Sequence, residues 1–410
     1  MNYFQELGRI VEDRWYAANR EEGAFPEVAA SALRSMPAHE HVSPSQILDW
    51  LHSTTILPPQ LEFPGRFGQP PITLYWGQRV VVDVYFWIDS TTSIHQHSFA
   101  GAFQVLSGSS HHTTYGFTEA QRISHCLRLG EVTVKQHEYL TPGTVREIRL
   151  GSSFIHSLFH LERPSTTVVV RTTHSPGAEP QYNYMRPGIA RLPIEYQDFL
   201  PVRRAQALVA LRTTDRAAYE RTLRRTVESA DLQTIFNAMI DYLYDVNELP
   251  KVVEMLEPAR QRHGSLIDAF PPVFEEELRQ KAIINRRRRI HDANHRFLLA
   301  LLLNGIDREN LLHLVRERHP EVDPAAQISA WLREMLLVPA DGADAGGNLL
   351  GLSLGEDDVK ILEYFLRGLT DADILRALAR EGYDASDVEA HLKEFRQAIA
   401  HSFLFRTLAL

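Results

Sequence analysis

Two histidines that stand two residues apart, His95 and His97, are the residues of this chain best suited to chemistry. They lie in the run Ser93–Gly108, which reads as strand and closes on a glycine where a hairpin turn is expected. Because successive side chains of a strand point to opposite faces, the two imidazoles share one face. Two imidazoles on one side of a sheet can chelate a divalent metal ion. The spacing therefore predicts a metal site on this strand.

A third histidine follows at a useful distance along the chain. The stretch Gly151–His160 ends a second strand-like block and leads into the β-branched run Ser165–Thr172. Antiparallel pairing would bring His156 beside the first two histidines. His160 shares a strand face with His156, so it is an alternative third ligand. Three neutral imidazoles with open positions would hold iron, zinc, nickel or copper, and imidazole alone does not choose among them.

The elements that must position these histidines are strands. The runs Val80–Ile88 and Thr144–Leu150 are further strand candidates, and several short strands with regular turn signals predict a sandwich or a barrel. His111 and His112 directly follow the turn at Gly108, and at most one of them can face inward. We expect both to be exposed in a loop.

Helices occupy both ends of the chain. Apolar positions at helical spacing predict helices before residue 58 and from residue 201 onwards. We predict an α+β fold, in which an antiparallel β-barrel follows N-terminal helices and precedes a large all-α region. The predicted domains are a helical segment 1–57, the barrel with its metal site 58–200, a helical domain 201–340 and a small helical unit 350–410, with proline- and glycine-rich residues 58–71 and small residues 339–349 as linkers.

Composition narrows the function classes. The chain has 410 residues, of which 44% are hydrophobic and 23% are charged, as in an ordinary globular protein. Its net charge of −9 argues against a nucleic-acid or anionic-membrane surface, and no apolar run is long enough to span a membrane. The only cysteine, Cys126, excludes an internal disulfide and predicts a reducing, cytoplasmic setting. The expected partner is a small-molecule substrate, with a homodimer left open.

The histidine pattern resembles that of the cupin superfamily, over about residues 72–175. The resemblance consists of Ser-Ile-His-x-His, a following Phe, a Leu-x-Gly turn and a late histidine. It is most similar to the cysteine dioxygenase-type enzymes with three histidines, because Gly101 and Ala102 stand where most cupins have a ligand glutamate. The resemblance implies a jelly-roll barrel with His95, His97 and His156 as ligands, since His156 lies nearer the Gly151 turn than His160 does.

The resemblance also implies an iron(II) cofactor with O2 as co-substrate, with zinc, manganese, nickel and copper as alternative metals. Ala102 departs from the family, because the mammalian-type enzymes have a cysteine there that cross-links to a tyrosine. The arginine that anchors the substrate carboxylate in the family has Arg79 as its first candidate, just ahead of the strand that precedes the histidine pair. Arg171, at the end of the strand after His156, is the second, and Tyr115 is a further candidate catalytic residue.

We therefore expect a mononuclear non-haem iron oxygenase or dioxygenase that acts on a small polar molecule such as a thiol, an amine or an amino acid. A 2-oxoglutarate oxygenase would need a carboxylate at the position of His97, although a later carboxylate such as Glu147 could contribute. A zinc- or manganese-dependent sugar isomerase is disfavoured by the absent cupin glutamate. The alternative from another class is a ligand-sensing cupin that is coupled to the helical region and has no catalytic activity.

The end of the chain resembles a LuxR-type helix-turn-helix over Leu352–Ile374, with Ala385–Leu392 at the position of the recognition helix. That family usually has basic or hydroxyl residues on this helix, where this chain has Asp387 and Glu389. Acidic side chains would repel a phosphate backbone, so we expect a small helical unit that does not bind DNA.

Overall fold

The computed structural model describes residues 1–61, 68–88, 91–240, 249–338, 348, 350 and 354–408. They divide into two compact units, one made of residues 1–136 and 140–279 and the other of residues 137–139 and 280–410. The linker predicted at 339–349 lies outside the described residues except for position 348, and the predicted domain boundaries stay a prediction.

The first unit begins with helices, as the sequence predicts for the residues before 58. They are α1 (Asn2–Ala17), α2 (Phe25–Ser35), the short α3 (Ala38–His41) and α4 (Pro44–Ser53). Helix α4 begins where Ser43 caps it, because the Ser43 side chain accepts from the Gln46 backbone N–H and the Gln46 side chain accepts from the Ser43 N–H.

Strands follow, and they form a sheet and a barrel. Within the described part of the chain, a five-stranded sheet has the order β1-β2-β9-β4-β7, and a closed barrel has the order β10-β11-β6-β5-β8-β3. The strands are β1 (Pro71–Trp76), β2 (Val80–Trp87), β3 (Ile94–His97), β4 (Gly101–Ser107), β5 (Ser110–Arg122), β6 (Leu127–Leu140), β7 (Val145–Ile148), β8 (Gly151–His160), β9 (Ser165–Thr172), β10 (Asn183–Met185) and β11 (Ile189–Arg191).

The run that carries the histidine pair is divided between the two sheets. Its first part, β3, belongs to the barrel, and its second part, β4, belongs to the five-stranded sheet. Gly101 begins β4 opposite Arg171, and a Cβ atom at position 101 would collide with the carbonyl oxygen of Val170. The chain therefore crosses between the sheets directly after the histidines, where a glycine permits the close approach of β9.

The five-stranded sheet is buried on both faces. On one face, Val82 and Val84 of β2 join a core formed with α1, α2 and α4. On the other face, Tyr85 and Trp87 join a core that also contains Leu158 of β8 in the barrel. A strand buried on both faces reads as a nearly continuous apolar run, and residues 80–87 are apolar except for Asp83.

Helices complete the first unit. They are α5 (Phe199–Thr214), α6 (Arg216–Ser229), α7 (Leu232–Ile240), α8 (Leu249–Met255), α9 (Glu257–His263) and α10 (Phe270–Arg287), whose last residues belong to the second unit. Their apolar side chains share one core with Leu127 and Leu129 of β6 and Ile189 of β11. Every residue of α7 is buried, so this helix is the centre of the core.

The second unit is helical. It contains α11 (Ala293–Leu303), α12 (Arg308–Arg318), α13 (Pro324–Leu337), α14 (Glu356–Leu366), α15 (Asp371–Arg380) and α16 (Ala385–His401). Among the described residues, no helix combines the length and the apolar character that crossing a membrane requires. The barrel, the N-terminal helices and the large helical region together confirm the predicted fold class.

Candidate metal centre

The structure brings the three predicted histidines together. His95 of β3 and His156 of β8 are direct partners in the antiparallel register, and His97 lies on the same side of β3. One ring nitrogen from each of the three lies within 4.8 Å of the other two, and all three side chains are buried. In the described part of the chain this is the group of histidine, cysteine and carboxylate side chains whose geometry could hold a metal ion.

The donor atoms have the separation that a metal ion requires. The Nε2 atoms of His97 and His156 lie 2.9 Å apart. Two imidazoles that bind one ion at about 2.1 Å and at right angles would have nitrogens about 3 Å apart. The ring centroids of His95 and His97 are 4.7 Å apart, as are those of His95 and His156. The residues present therefore fit a first-row divalent ion.

Burial keeps the imidazoles in the form that binds a metal. Desolvation, together with the nearby His112, lowers the pKa of His95 to about 4, although its hydrogen bond to the Ser93 backbone acts in the opposite direction. Desolvation also holds the pKa values of His97 and His156 well below their usual range, and neighbouring histidines add to the effect. Neutral imidazole has a free lone pair, so no proton has to be displaced when an ion binds near neutral pH.

The outward-facing nitrogens of two of the histidines have hydrogen-bond partners. His95 Nδ1 lies 2.8 Å from the Ser93 carbonyl oxygen, so this nitrogen carries the proton and Nε2 has the lone pair. His156 Nδ1 lies 3.0 Å from His112 Nε2. Ring nitrogens of metal-binding histidines usually have such partners, which fix the tautomer and the ring orientation.

His112 is the residue of this site that the sequence did not predict. The expectation that His111 and His112 are exposed in a loop is wrong, because β5 begins at Ser110 and both side chains are fully buried. His112 shares a face of β5 with Thr114, which is the register partner of His156. β4 ends at Ser107 and β5 begins at Ser110, so the polar run after the turn belongs to a strand, and residues 110–113 are buried. The sequence carried no signal that distinguished this polar run from a loop.

His160 is buried on the same face of β8 as His156 but lies elsewhere in the barrel. Its ring stacks on Trp87, with centroids 4.5 Å apart, and its Nδ1 lies 2.9 Å from Ser110 Oγ. Of the two histidines that the sequence left as alternatives, the structure groups His156 with the pair and not His160.

Arg171 is the predicted cation nearest to the histidines. Its positive charge contributes to the low pKa of His97, and its guanidinium lies over the Phe99 ring, 4.4 Å from the centroid. Phe99 in turn contacts His97, with ring centroids 4.7 Å apart. Arg171 Nε donates to Asp83 Oδ2 at 3.0 Å, and both side chains are almost completely buried.

The structure does not bring Arg79 to the histidines. Its guanidinium pairs with Glu22, donates to the His174 carbonyl oxygen at 3.0 Å and lies over the Trp15 ring. Among the contacts of the described residues, none joins Arg79 to the three histidines. Arg79 directly precedes β2, and its contacts lie with the N-terminal helical part of the chain.

Tyr115 is buried in a different core from the histidines. Its hydroxyl lies 3.1 Å from Ser157 Oγ, and it packs with Ile94, Ile155 and Tyr184. Burial raises the pKa of its phenol. Tyr115 alternates with Thr114 along β5, so its side chain points to the face opposite His156.

The chain was compared with known proteins. No family model matches it, and no curated protein matches it significantly. Among solved structures, the DMSP lyase DddQ from Ruegeria pomeroyi DSS-3 is 14% identical, and the match covers 44% of this chain and 95% of that chain with a TM-score of 0.24. A cupin superfamily protein from Desulfitobacterium hafniense DCB-2 is 12% identical over 29% of this chain and 92% of that chain, with a TM-score of 0.18.

Hydroquinone 1,2-dioxygenase PnpCD, in complex with Cd2+ and 4-hydroxybenzonitrile, is 13% identical over 25% of this chain and 63% of that chain, with a TM-score of 0.19. These values describe a likeness to part of the fold and carry no argument about activity. None of these comparisons supports the cysteine dioxygenase-type resemblance or the LuxR-type helix-turn-helix.

Proposed function

We propose that this chain is a mononuclear iron(II)-dependent oxygenase that acts on a small anionic molecule, with His95, His97 and His156 as the metal ligands. The observation that carries the proposal is the 2.9 Å separation of two buried Nε2 atoms beside a third imidazole. Three neutral imidazole donors without a carboxylate favour a redox-active metal with open coordination positions over a hard cation that prefers oxygen ligands. Bound iron(II) would supply adjacent positions for O2 and for a substrate heteroatom.

The protein's own side chains would orient the ligands and the substrate. Hydrogen bonds from His95 Nδ1 to the Ser93 carbonyl and from His156 Nδ1 to His112 hold two of the three rings in place. Arg171 would hold an anionic substrate, because its guanidinium lies over the Phe99 ring and its positive charge acts on His97.

Two half-buried aromatic rings flank the histidines. Phe99 contacts His97, and Phe154 contacts His156 with ring centroids 4.5 Å apart. Their apolar faces would exclude water from the site and strengthen the attraction between Arg171 and a substrate carboxylate. They also favour a substrate that has an apolar group beside its polar one.

Metal analysis of the purified full chain tests the proposal. We expect about one equivalent of iron after anaerobic reconstitution, and a loss of most of it in His95→Ala and in His97→Ala. His174→Ala, which changes an exposed histidine of the same unit, is the matched control and should keep the metal. Full metal occupancy in both ligand variants would contradict the site.

Oxygen uptake separates the enzyme from the two alternatives. With iron bound, a panel of small thiols, amines and carboxylic acids should contain a compound that stimulates oxygen consumption. Tight binding of a compound without oxygen consumption would support the non-catalytic sensor instead. Activity with zinc or manganese in the absence of O2 would support an isomerase or another non-redox enzyme.

A further inference from the structure

Helix α5 of the first unit exposes more apolar surface than its sequence predicts. Nine of its 16 residues are apolar, without counting Pro201, yet Val202 and Leu208 are the two that are buried. A helix that is apolar on all sides is normally covered on all sides. The outer face of α5 is instead open to solvent within the described part of the chain.

The most exposed apolar side chains of this region lie at the beginning of the helix. Phe199 and Leu200 are the first residues of α5 and are 84% and 60% exposed, and Tyr196 shortly before them is 57% exposed. Side chains that are exposed to this degree protrude from the surface. A protein partner would need a matching pocket for each of them, whereas the boundary of a lipid bilayer accepts them without one.

Arginine is the main charged residue of α5 and α6. Residues 199–229 contain seven arginines, three acidic residues and no lysine, in a chain whose net charge is −9. Helix α5 itself has no acidic residue. Four of the arginines are exposed, and their guanidinium groups make no hydrogen bond or ion pair within the described part of the chain, namely Arg204, Arg221, Arg224 and Arg225.

The arginines of α6 lie on its outer side. Tyr219, Leu223 and Val227 form the buried side of this helix. Arg221 and Arg225 are four residues apart, so they are neighbours on the opposite side. Like charges at this spacing destabilise a helix, and no internal anion compensates for them among the described residues. This face is therefore suited to anions from outside the protein.

Helices α5 and α6 belong to one layer of the first unit. Asp215 alone separates them in the chain, they pack against each other, and both pack against α7, which is completely buried. Because both helices cover α7, the faces that they turn away from it form one outer surface. The apolar side chains and the arginines can therefore contact the same partner.

We propose that this surface binds peripherally to a membrane that contains anionic phospholipids. Tyr196, Phe199 and Leu200 would enter the boundary between the headgroups and the acyl chains, and the four guanidinium groups would contact the lipid phosphates. A nucleic acid would satisfy the arginines but would leave Leu200 without an apolar partner. A second copy that docked the same face about a two-fold axis would bring arginines against arginines.

The negative net charge of the whole chain does not oppose this proposal. Electrostatic attraction to a membrane falls off within a Debye length of about 10 Å, so the charges of the docking face decide the interaction. Glu195 and Asp198 precede α5 and reduce the positive charge of this region. We therefore expect a moderate affinity that depends strongly on salt.

Co-sedimentation of the full chain with vesicles tests the proposal. Vesicles of phosphatidylcholine with about 30% phosphatidylglycerol should bind the protein at low salt, and vesicles of pure phosphatidylcholine should not. About 0.5 M salt should release the protein, because the Debye length then falls to a few ångströms. Absence of binding to the anionic vesicles, or equal binding to both kinds, would overturn the proposal. Binding of a single-stranded oligonucleotide in place of the vesicles would assign the arginines to a nucleic acid instead.

A pair of double variants tests the charged part of the surface. Arg221→Gln/Arg225→Gln should weaken binding to the anionic vesicles by about 30-fold. Arg122→Gln/Arg149→Gln is the matched control, since both are exposed arginines of the same unit that pair with a glutamate, and it should bind as the wild type does. Surface substitutions of this kind leave the fold intact. Equal affinity in the two double variants would contradict the assignment of the arginines.

A pair of single variants tests the apolar part. Phe199→Ser should weaken binding by about tenfold, because the ring no longer leaves water when the protein binds. Ile56→Ser changes another apolar side chain of the same unit that is 79% exposed, and it should have no effect. An affinity of Phe199→Ser that equals the wild type's would show that the beginning of α5 stays outside the bilayer, which would overturn the proposal.

Discussion

His112 Nε2 lies 3.0 Å from His156 Nδ1, so two histidines of the barrel interior are joined by a hydrogen bond. With the proton of His156 on Nδ1, its Nε2 lone pair faces His97 Nε2. We predict that His112→Ala weakens metal binding by about 10- to 100-fold, because the acceptor that orients His156 is lost. Competition with a chelator of known affinity measures the change.

The conservative variant His112→Gln tests whether His112 acts by orienting the His156 ring or only by packing against it. A glutamine carbonyl oxygen can accept from His156 Nδ1–H, so this variant should recover most of the metal affinity, whereas His112→Leu should not. If the glutamine and leucine variants bind the metal equally, then the hydrogen bond has no role in orienting His156. Metal binding by the wild type tests whether the three histidines bind a metal ion at all. The comparison of the His112 variants tests only the role of the hydrogen bond, so the two conclusions can be distinguished.

A second prediction concerns the choice between the two histidines of β8. His156→Ala should lose most of the bound metal, because His156 provides one of the clustered nitrogens. His160→Ala should retain the metal, because the His160 ring stacks on Trp87 and bonds Ser110. Elemental analysis of the folded variants decides the matter, and loss of metal in His160→Ala alone would refute the assignment.

A third prediction concerns the buried ion pair of Arg171 and Asp83. Arg171→Met leaves the Asp83 carboxylate buried without its cation and should lower the free energy of unfolding by about 3–5 kcal/mol. The double variant Asp83→Asn/Arg171→Met removes both charges and should recover much of this loss. Urea denaturation followed by circular dichroism measures both effects.

The same variants test whether Arg171 also holds the substrate. For a substrate that supports oxygen uptake, KM should stay raised in the double variant, even where its stability recovers. Arg79→Leu is the comparison, since Arg79 pairs with Glu22, and it should leave KM unchanged. A wild-type KM in the double variant would show that the substrate is not held by Arg171.

A fourth prediction follows from the low pKa values of the clustered imidazoles. Well above pH 6.5 they are mostly neutral in both the folded and the unfolded chain, so they add little pH dependence. Below it the unfolded chain binds protons that the folded chain does not, and the stability of the metal-free protein should fall as the pH drops toward 4, where His95 titrates. Each histidine contributes up to about 1.4 kcal/mol per pH unit.

Urea denaturation of the metal-free protein at several values between pH 7 and pH 5 measures this dependence. His95→Gln should reduce the slope, because one of the depressed groups is removed while a polar side chain of similar reach remains. An identical pH slope in His95→Gln and the wild type would contradict the assigned environment of His95.

Strand periodicity made much of the candidate site predictable. His95 and His97 share a face because they are two positions apart, and the β-branched run of β9 and the turn glycines indicated antiparallel strands around them. His112 was not predictable in the same way, because its position in the barrel depends on a turn length that composition does not determine. A polar run such as Ser110–Thr114 reads as a loop unless the surrounding barrel is known.

The two candidate arginines show a second limit of prediction from the sequence. Arg79 directly precedes β2 and Arg171 lies near the end of β9, and local pattern alone does not distinguish them. Their environments differ through tertiary contacts, with Glu22 near one and Asp83 near the other. Similarly, the short strands β10 and β11 were not predicted, because Pro187 and Gly188 lie between them and are typical of irregular structure. These strands pair with β3 and β6 to complete the barrel.

The double burial of β9 restricts how its sequence can vary. Val168 and Val170 face the core of the N-terminal helices, while Val169 and Arg171 face the interior beside the histidines. Inserting one residue ahead of Val168 would exchange the two sets, because strand side chains alternate with a period of two. The guanidinium would then enter an aliphatic core, and Asp83 would face a valine. This strand should therefore tolerate exchange of one aliphatic residue for another far better than the gain or loss of a single position.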